Sequence, residues 1–286
     1  MPERNGIQPI TGADVEAVAV FLNRHMNSRF AVAEWAAGLN PAWSRNAPNH
    51  GFMLLAEGEV VGAICAMYSQ QEIDGVAQAF CNPHSWCVLE SHRKSSVPLV
   101  LSLIRQPGYH FTMFSPNREG EEIFSYLGFK PLDRARLVLP HLPSVRSGGQ
   151  CEIITDPERA EASLPPSLAR IYRDHRSYPW LQQLVFRKAE HFGLAIFKLS
   201  RYKRLPCAGL NYISDRQLFG ECWGAISNHL LFRRGIAVSR VEERLLGRRP
   251  ALAFTTLPGS AKFYLSNSLQ HGDINYIYSE LFVMDL

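Results

Sequence analysis

Residues 85–130, SWCVLESHRKSSVPLVLSLIRQPGYHFTMFSPNREGEEIFSYLGFK, read as strand, polar turn, helix, strand and helix, with a chemical signal at each boundary. Trp86, Cys87, Val88 and Leu89 form a short apolar run with strand character. Ser95 and Ser96 are helix N-cap types, and Pro98 suits a first helical turn, where its missing N–H costs little. From about Val97, residues Leu99, Val100, Leu103 and Ile104 repeat on one helical face. Pro107-Gly108 then stops the helix before an aromatic strand, Tyr109 to Phe114. A helix joining two neighbouring strands implies a parallel pair with a right-handed crossover.

The turn inside this unit is cationic. His92-Arg93-Lys94-Ser95-Ser96 places positive side chains and backbone N–H groups at a helix N-terminus, where anions bind. The stretch resembles the acyl-CoA loop of the GNAT superfamily of acyltransferases, Arg/Gln-x-x-Gly-x-Gly/Ala in a strand-turn-helix setting. Arg93 matches, while Ser96 and Pro98 stand at glycine positions. Further on, Asn117 precedes the acidic Glu119, Glu121 and Glu122, and Leu127-Gly128-Phe129 closes the second helix as the family's Asn…Leu-Gly-Phe ending does. Gly128 is also a plain C′ glycine. The family's frequent tyrosine acid falls on Phe124, with Tyr126 nearby but out of register. The resemblance implies acetyl-CoA or another acyl-CoA as co-substrate. Val88 and Leu89 then lie beside its pantetheine arm, Arg93, Lys94, Ser95 and Ser96 meet its pyrophosphate, and Asn117 completes the contacts.

Upstream elements keep the same order. Ile7 to Ile10 reads as a strand, Thr11-Gly-Ala-Asp14 opens a helix with Val15, Val18 and Leu22 on one face, and a second helix spans Ala31 to Leu39. Residues 52–56 and 60–68 are strands joined through Glu57-Gly58-Glu59. The resemblance thus covers Ile7 to about Asp133.

Leu142 to Gly149, LPSVRSGG, is the linker candidate. Beyond it, Leu168 to Arg176 makes a helix, Phe192 to Leu199 and Ala208 to Ser214 make strands, and Asp215 caps a long helix that Gly235 ends. Phe219, Trp223, Ile226 and Leu230 mark that helix's buried face. Closing strands near Ile236 to Val241 and Ile274 to Met284 flank a helical piece around Phe263. The predicted fold is therefore α/β of the α+β kind, with mixed sheets. It holds two GNAT-like domains in tandem, residues 1–145 binding acyl-CoA and residues 146–286 forming a degenerate second copy. Asp215 repels a pyrophosphate from the second copy, which leaves the cofactor to the first.

Composition narrows the function. The 286 residues are 46% hydrophobic and 20% charged, as in an ordinary folded protein. Apolar runs fall short of the ~18 residues of a membrane span, the first ten residues lack signal-peptide architecture, and the six cysteines form no framework. These features predict a cytoplasmic protein with reduced thiols and no membrane partner. Residues 1–150 carry 12 basic and 13 acidic side chains, and residues 151–286 carry 18 and 13. A surplus of +5 fits an anionic substrate better than a nucleic acid. Cys81, His84, Cys87 and His92 match no standard ligand spacing, so no metal is expected. Asp174-His175 is a candidate pair whose helical neighbours point apart. No Walker loop, HExxH or Gly-x-Ser-x-Gly motif occurs.

The reading is acyl transfer from acyl-CoA to an amine or hydroxyl of a small metabolite or sugar held between the domains. Tyr126 and Glu280 are the catalytic candidates, Glu280 being either a solvent-side charge or an inward base on a closing strand. Two alternatives stand beside it. One is a non-catalytic GNAT-like binding or scaffold protein, which Ser96, Pro98 and Phe124 permit. The other is an acyltransferase that takes its acyl group from an acidic acyl carrier protein.

Overall fold

The computed structural model describes residues 5–44, 46–144 and 151–285. In the first half the predicted order is observed: β1 (Gly6–Pro9), α1 (Val15–His25), α2 (Val32–Leu39), β2 (Gly51–Ala56), β3 (Glu59–Ile73), β4 (Val76–Val88), α3 (Ser96–Ile104), β5 (His110–Met113), α4 (Arg118–Tyr126) and the short β6 (Lys130–Pro131). Side-chain chemistry sets the boundaries. The Asp14 carboxylate accepts the Thr11 N–H at 2.9 Å ahead of α1, and the Glu34 carboxylate accepts the Ala31 N–H at 2.6 Å ahead of α2. Gly128, at φ 85°, ends α4, with the Phe129 N–H reaching back to the Phe124 carbonyl at 3.0 Å. Helices α1 and α2 pack on Ala63, Cys65 and Met67, and α3 and α4 pack on Ile64, Ala66 and Tyr68. That alternation along β3 buries both faces of the sheet.

The strand expected at Trp86 to Leu89 is only the end of a longer one. β3 and β4 form one hairpin whose pairing runs from Gly62 and Val88 to Ile73 and Val76. It turns on Asp74-Gly75, both at positive φ (50° and 76°), the residue pair a type I′ turn favours.

The first half ends with β7 (Arg136–Pro140), and the second contains β8 (Cys151–Ile154), α5 (Pro157–Ser163), α6 (Pro166–His175), β9 (Leu181–Lys188), β10 (His191–Tyr202), β11 (Leu205–Ile213), α7 (Arg216–Glu221), α8 (Trp223–Asn228), β12 (Val238–Glu242), β13 (Phe254–Thr256), β14 (Phe263–Leu265) and α9 (Glu280–Val283). Asp215 caps α7 as expected, its carboxylate accepting the Leu218 N–H at 2.8 Å. The long helix is instead broken at Cys222 into α7 and α8, followed by one π turn, His229–Arg233. Two further expectations are corrected. Residues around Phe263 form a strand, because Phe263 and Tyr264 face different cores and so follow a period of two. Residues 274–284 form turns and α9 rather than a strand. Residues 276–280 are buried without interruption between the two halves, so no solvent face exists for a strand to alternate against.

The sheets have the same plan and exchange one strand. Their orders are β1-β2-β3-β4-β5-β14-β6 and β8-β9-β10-β11-β12-β7-β13. β14, from the second half, fills the slot between β5 and β6, while β7, from the first half, fills the matching slot between β12 and β13. A cut at 145/146 therefore separates each sheet from one of its strands. Residues 145–149 of the expected linker lie outside the described residues. Its first part is tied down, with the Ser144 N–H donating to Asn228 Oδ1 at 2.9 Å. Where the sheets meet, buried Glu242 at the end of β12 holds Lys262 Nζ at 2.7 Å, Arg244 Nε at 3.2 Å and the Tyr276 hydroxyl.

Candidate functional site

The parallel contact between β4 and β5 is brief. Phe80 lies opposite His110 and Cys81 opposite Phe111, and among the described residues β4 has no strand partner on that side from Asn82 onward. Ser85, at φ 50°, sits in an irregularity opposite Ala63 to Cys65, which turns β4 away from β5. A gap thus opens between two strands that a straight sheet would keep paired.

Polar side chains collect at its base. Buried Asn82 donates to the Thr112 carbonyl at 2.9 Å and accepts the backbone N–H of Glu280 at 3.2 Å. Glu280, 2% exposed, accepts the Ser115 hydroxyl on Oε1 at 2.6 Å. Its Oε2 is buried with no partner, as is Nε2 of His84, whose Nδ1 lies 2.9 Å from Ser85 Oγ. Burial pushes the Glu280 carboxyl up to about 7 against the opposing Ser115 hydrogen bond, and burial takes His84 down to about 3. The carboxyl therefore changes charge near neutrality, while the imidazole stays neutral there. Ser115 is exposed, so the pair opens to solvent at that rim. Tyr278 is held at φ 60° although buried, and its N–H points to His175 Nε2 at 3.4 Å. This strained residue fixes the approach of Glu280 from the second half.

The cationic turn takes a different form from the one expected. Glu90–Ser95 winds as a 3₁₀ helix that uses its own amides: the His92 N–H bonds to the Leu89 carbonyl and the Ser96 N–H to the Arg93 carbonyl. Ser95 makes no side-chain cap. Arg93 pairs with Glu90 at 2.9 Å and Glu119 at 2.6 Å, and Lys94 is exposed. Asn117 serves as the α4 cap, accepting the Gly120 N–H at 2.8 Å. Val88 ends β4 opposite Gly62 and packs toward α3 and α4, whereas Leu89 packs toward α1 and α2.

The catalytic candidates separate. Glu280 lies at the gap; Tyr126, 89% exposed, lies on the outer side of α4. Phe124 is buried against Trp86, their rings 5.9 Å apart and edge-on. Asp174 and His175 also part, Asp174 accepting the Tyr278 hydroxyl at 2.9 Å while His175 is buried among Trp43, Tyr278 and Phe282. Asn82 and Ser115 were not among the sequence candidates, and His84 was weighed there only as a metal ligand. The signal for Asn82 and His84 was a pair of polar residues inside an apolar strand, readable once Asp74-Gly75 is taken as the hairpin turn.

A carboxylate that ionises near neutrality, beside an open strand gap and a cationic turn, suits proton removal from a nucleophile next to a long anionic ligand. No family model and no curated protein matches the sequence. Among solved structures, the chain is similar to a GCN5-related N-acetyltransferase from Anabaena variabilis, at TM-score 0.60 and 11% identity over 91% of this chain and 72% of that one. Another from Kribbella flavida gives 0.55 and 13% over 90% and 70%. Eis1 from Mycobacterium abscessus gives 0.54 and 16% over 90% and 72%. Likeness at these identities speaks for architecture alone, and with the repeated strand order it shows that this chain has the GCN5-related N-acetyltransferase fold, twice in tandem.

Proposed function

We propose that the protein transfers an acyl group from acyl-CoA to an amine or hydroxyl of a small acceptor, with Glu280 as general base. The observation that carries this reading is the Glu280 carboxylate, buried at the β4–β5 gap with one oxygen unpartnered and its pKa pushed up to about 7. A base with that pKa is half ionised at neutral pH, which suits it to taking the acceptor's proton. Ser115 orients the carboxylate through Oε1 and Asn82 fixes its backbone.

The pantetheine arm would enter where β4 and β5 part, near the end of β4 that carries Trp86 and Val88. The turn meets phosphates through the side chains of Arg93 and Lys94, since the amides of His92 and Ser96 are already bonded. Bound acyl-CoA supplies the thioester carbonyl. Phe124 has no proton to give, so the C–S bond breaks with the sulfur leaving as a thiolate.

The wound turn also favours a second reading, a binding protein without turnover. Calorimetry with acetyl-CoA and longer acyl-CoAs, followed by thiol release in the presence of an amine panel, separates the two. Turnover that Glu280→Gln lowers supports transfer. Binding without turnover in any acceptor supports the second reading, and absence of binding removes acyl-CoA as the donor.

A further inference from the structure

Cys151 opens β8, an edge strand of the second sheet, and Cys222 occupies the joint at which α7 ends and α8 begins. These positions are 71 residues apart in sequence, yet their Sγ atoms lie 2.7 Å apart, closer than two unbonded sulfurs ordinarily rest. Cys222 is fully buried and Cys151 half-buried, so one thiol of the pair is open to solvent. Cys222 is at once the C-cap of α7 and the N-cap of α8. A bond to it would pin the helix joint and the sheet edge together.

We propose that Cys151 and Cys222 are a redox-responsive pair that closes to a disulfide under a peroxide. Cys151, as the accessible member, attacks a peroxide oxygen, the O–O bond breaks, and Cys151 becomes a sulfenic acid as one water leaves. Cys222 sulfur then attacks Cys151 sulfur, the S–O bond breaks, and the departing hydroxide takes the Cys222 proton as a second water. Two thiols are oxidised and one peroxide is reduced to two waters. Burial and the neighbouring Cys151 push Cys222 up to about 12, which makes it the resolving rather than the attacking sulfur. Lys188 and Glu221, paired at 2.8 Å, lie beside Cys222 and act on its thiol in opposite directions.

The test treats the full chain with one equivalent of hydrogen peroxide and maps peptides without reduction. The expected result is one intramolecular cross-link between the peptides of Cys151 and Cys222, with two thiols lost. The melting temperature should rise by roughly 5 °C or more, reversibly with a phosphine reductant, because the bond closes a long loop. Cys151→Ser should keep the melting temperature of the reduced protein and lose both the cross-link and the shift. A cross-link elsewhere, a stable sulfinic acid at Cys151, or six intact thiols after treatment would each overturn the proposal.

Discussion

Arg93 is held by two carboxylates, and that arrangement makes Glu119 a brake on any anion that arrives. Glu119→Gln should tighten acyl-CoA binding and Arg93→Ala should weaken it, each by roughly tenfold in calorimetry at low salt, with both effects shrinking as salt rises. Unchanged affinity in both variants would place the phosphate site elsewhere. Glu280 gives a prediction of opposite signs. It binds its proton more tightly in the fold than in the unfolded chain, so stability falls as pH rises from about 4.5 to about 7, by on the order of 3 kcal/mol. Base catalysis needs the ionised form, so turnover should rise across the upper part of that window. Glu280→Gln should remove the pH slope from urea titrations and lower turnover ~100-fold or more. Arg93 was legible in the sequence as a cation in a turn, whereas its acidic partner Glu119 came from 26 residues away and was not.

At the scale of elements, punctuation residues carried most of what could be read. Asp14, Gly128 and Asp215 act locally, within a few residues of their own position, and each sits where its chemistry placed it. Asp74-Gly75 acts locally too; reading it as a hairpin would have extended β4 back to Val76 and exposed Asn82 and His84 as polar residues in a strand. Gly75→Val should cost about 1–2 kcal/mol, since a branched residue is forced to positive φ, and a urea midpoint that does not move would show that the turn changes type instead. Local pattern misleads for residues 274–284, because burial on every side erases the alternation that separates strand from turn.

Across the whole molecule, the exchange of β7 and β14 binds the halves together. Residues 1–145 and 146–286 expressed apart should each lack a cooperative melt by circular dichroism, and mixing them should restore one. A sharp independent melt of either fragment would argue against the exchange. Glu242 ties the two sheets together electrostatically, one carboxylate at the end of β12 serving two buried cations, of which Lys262 directly precedes β14. Glu242→Ala should therefore destabilise by roughly 3–5 kcal/mol in urea, since Lys262 and Arg244 are left uncompensated. The repeated plan was legible in the sequence because element order is local. The exchange was not: β7 and β14 would show the same apolar alternation in either sheet, and only pairing over roughly 100 residues or more decides between them.

That pairing sets a timetable for synthesis. β6 ends at Pro131 and the strand that must slide in beside it begins at Phe263, so about 130 residues of later chain have to leave the ribosome before the first sheet can close. At ~5–20 residues per second the wait is roughly 7–26 s, during which β5 and β6 present unpaired backbone to the cell. The nascent protein is expected to be a client for chaperones over that interval, until Phe263–Leu265 has been translated and can close the sheet.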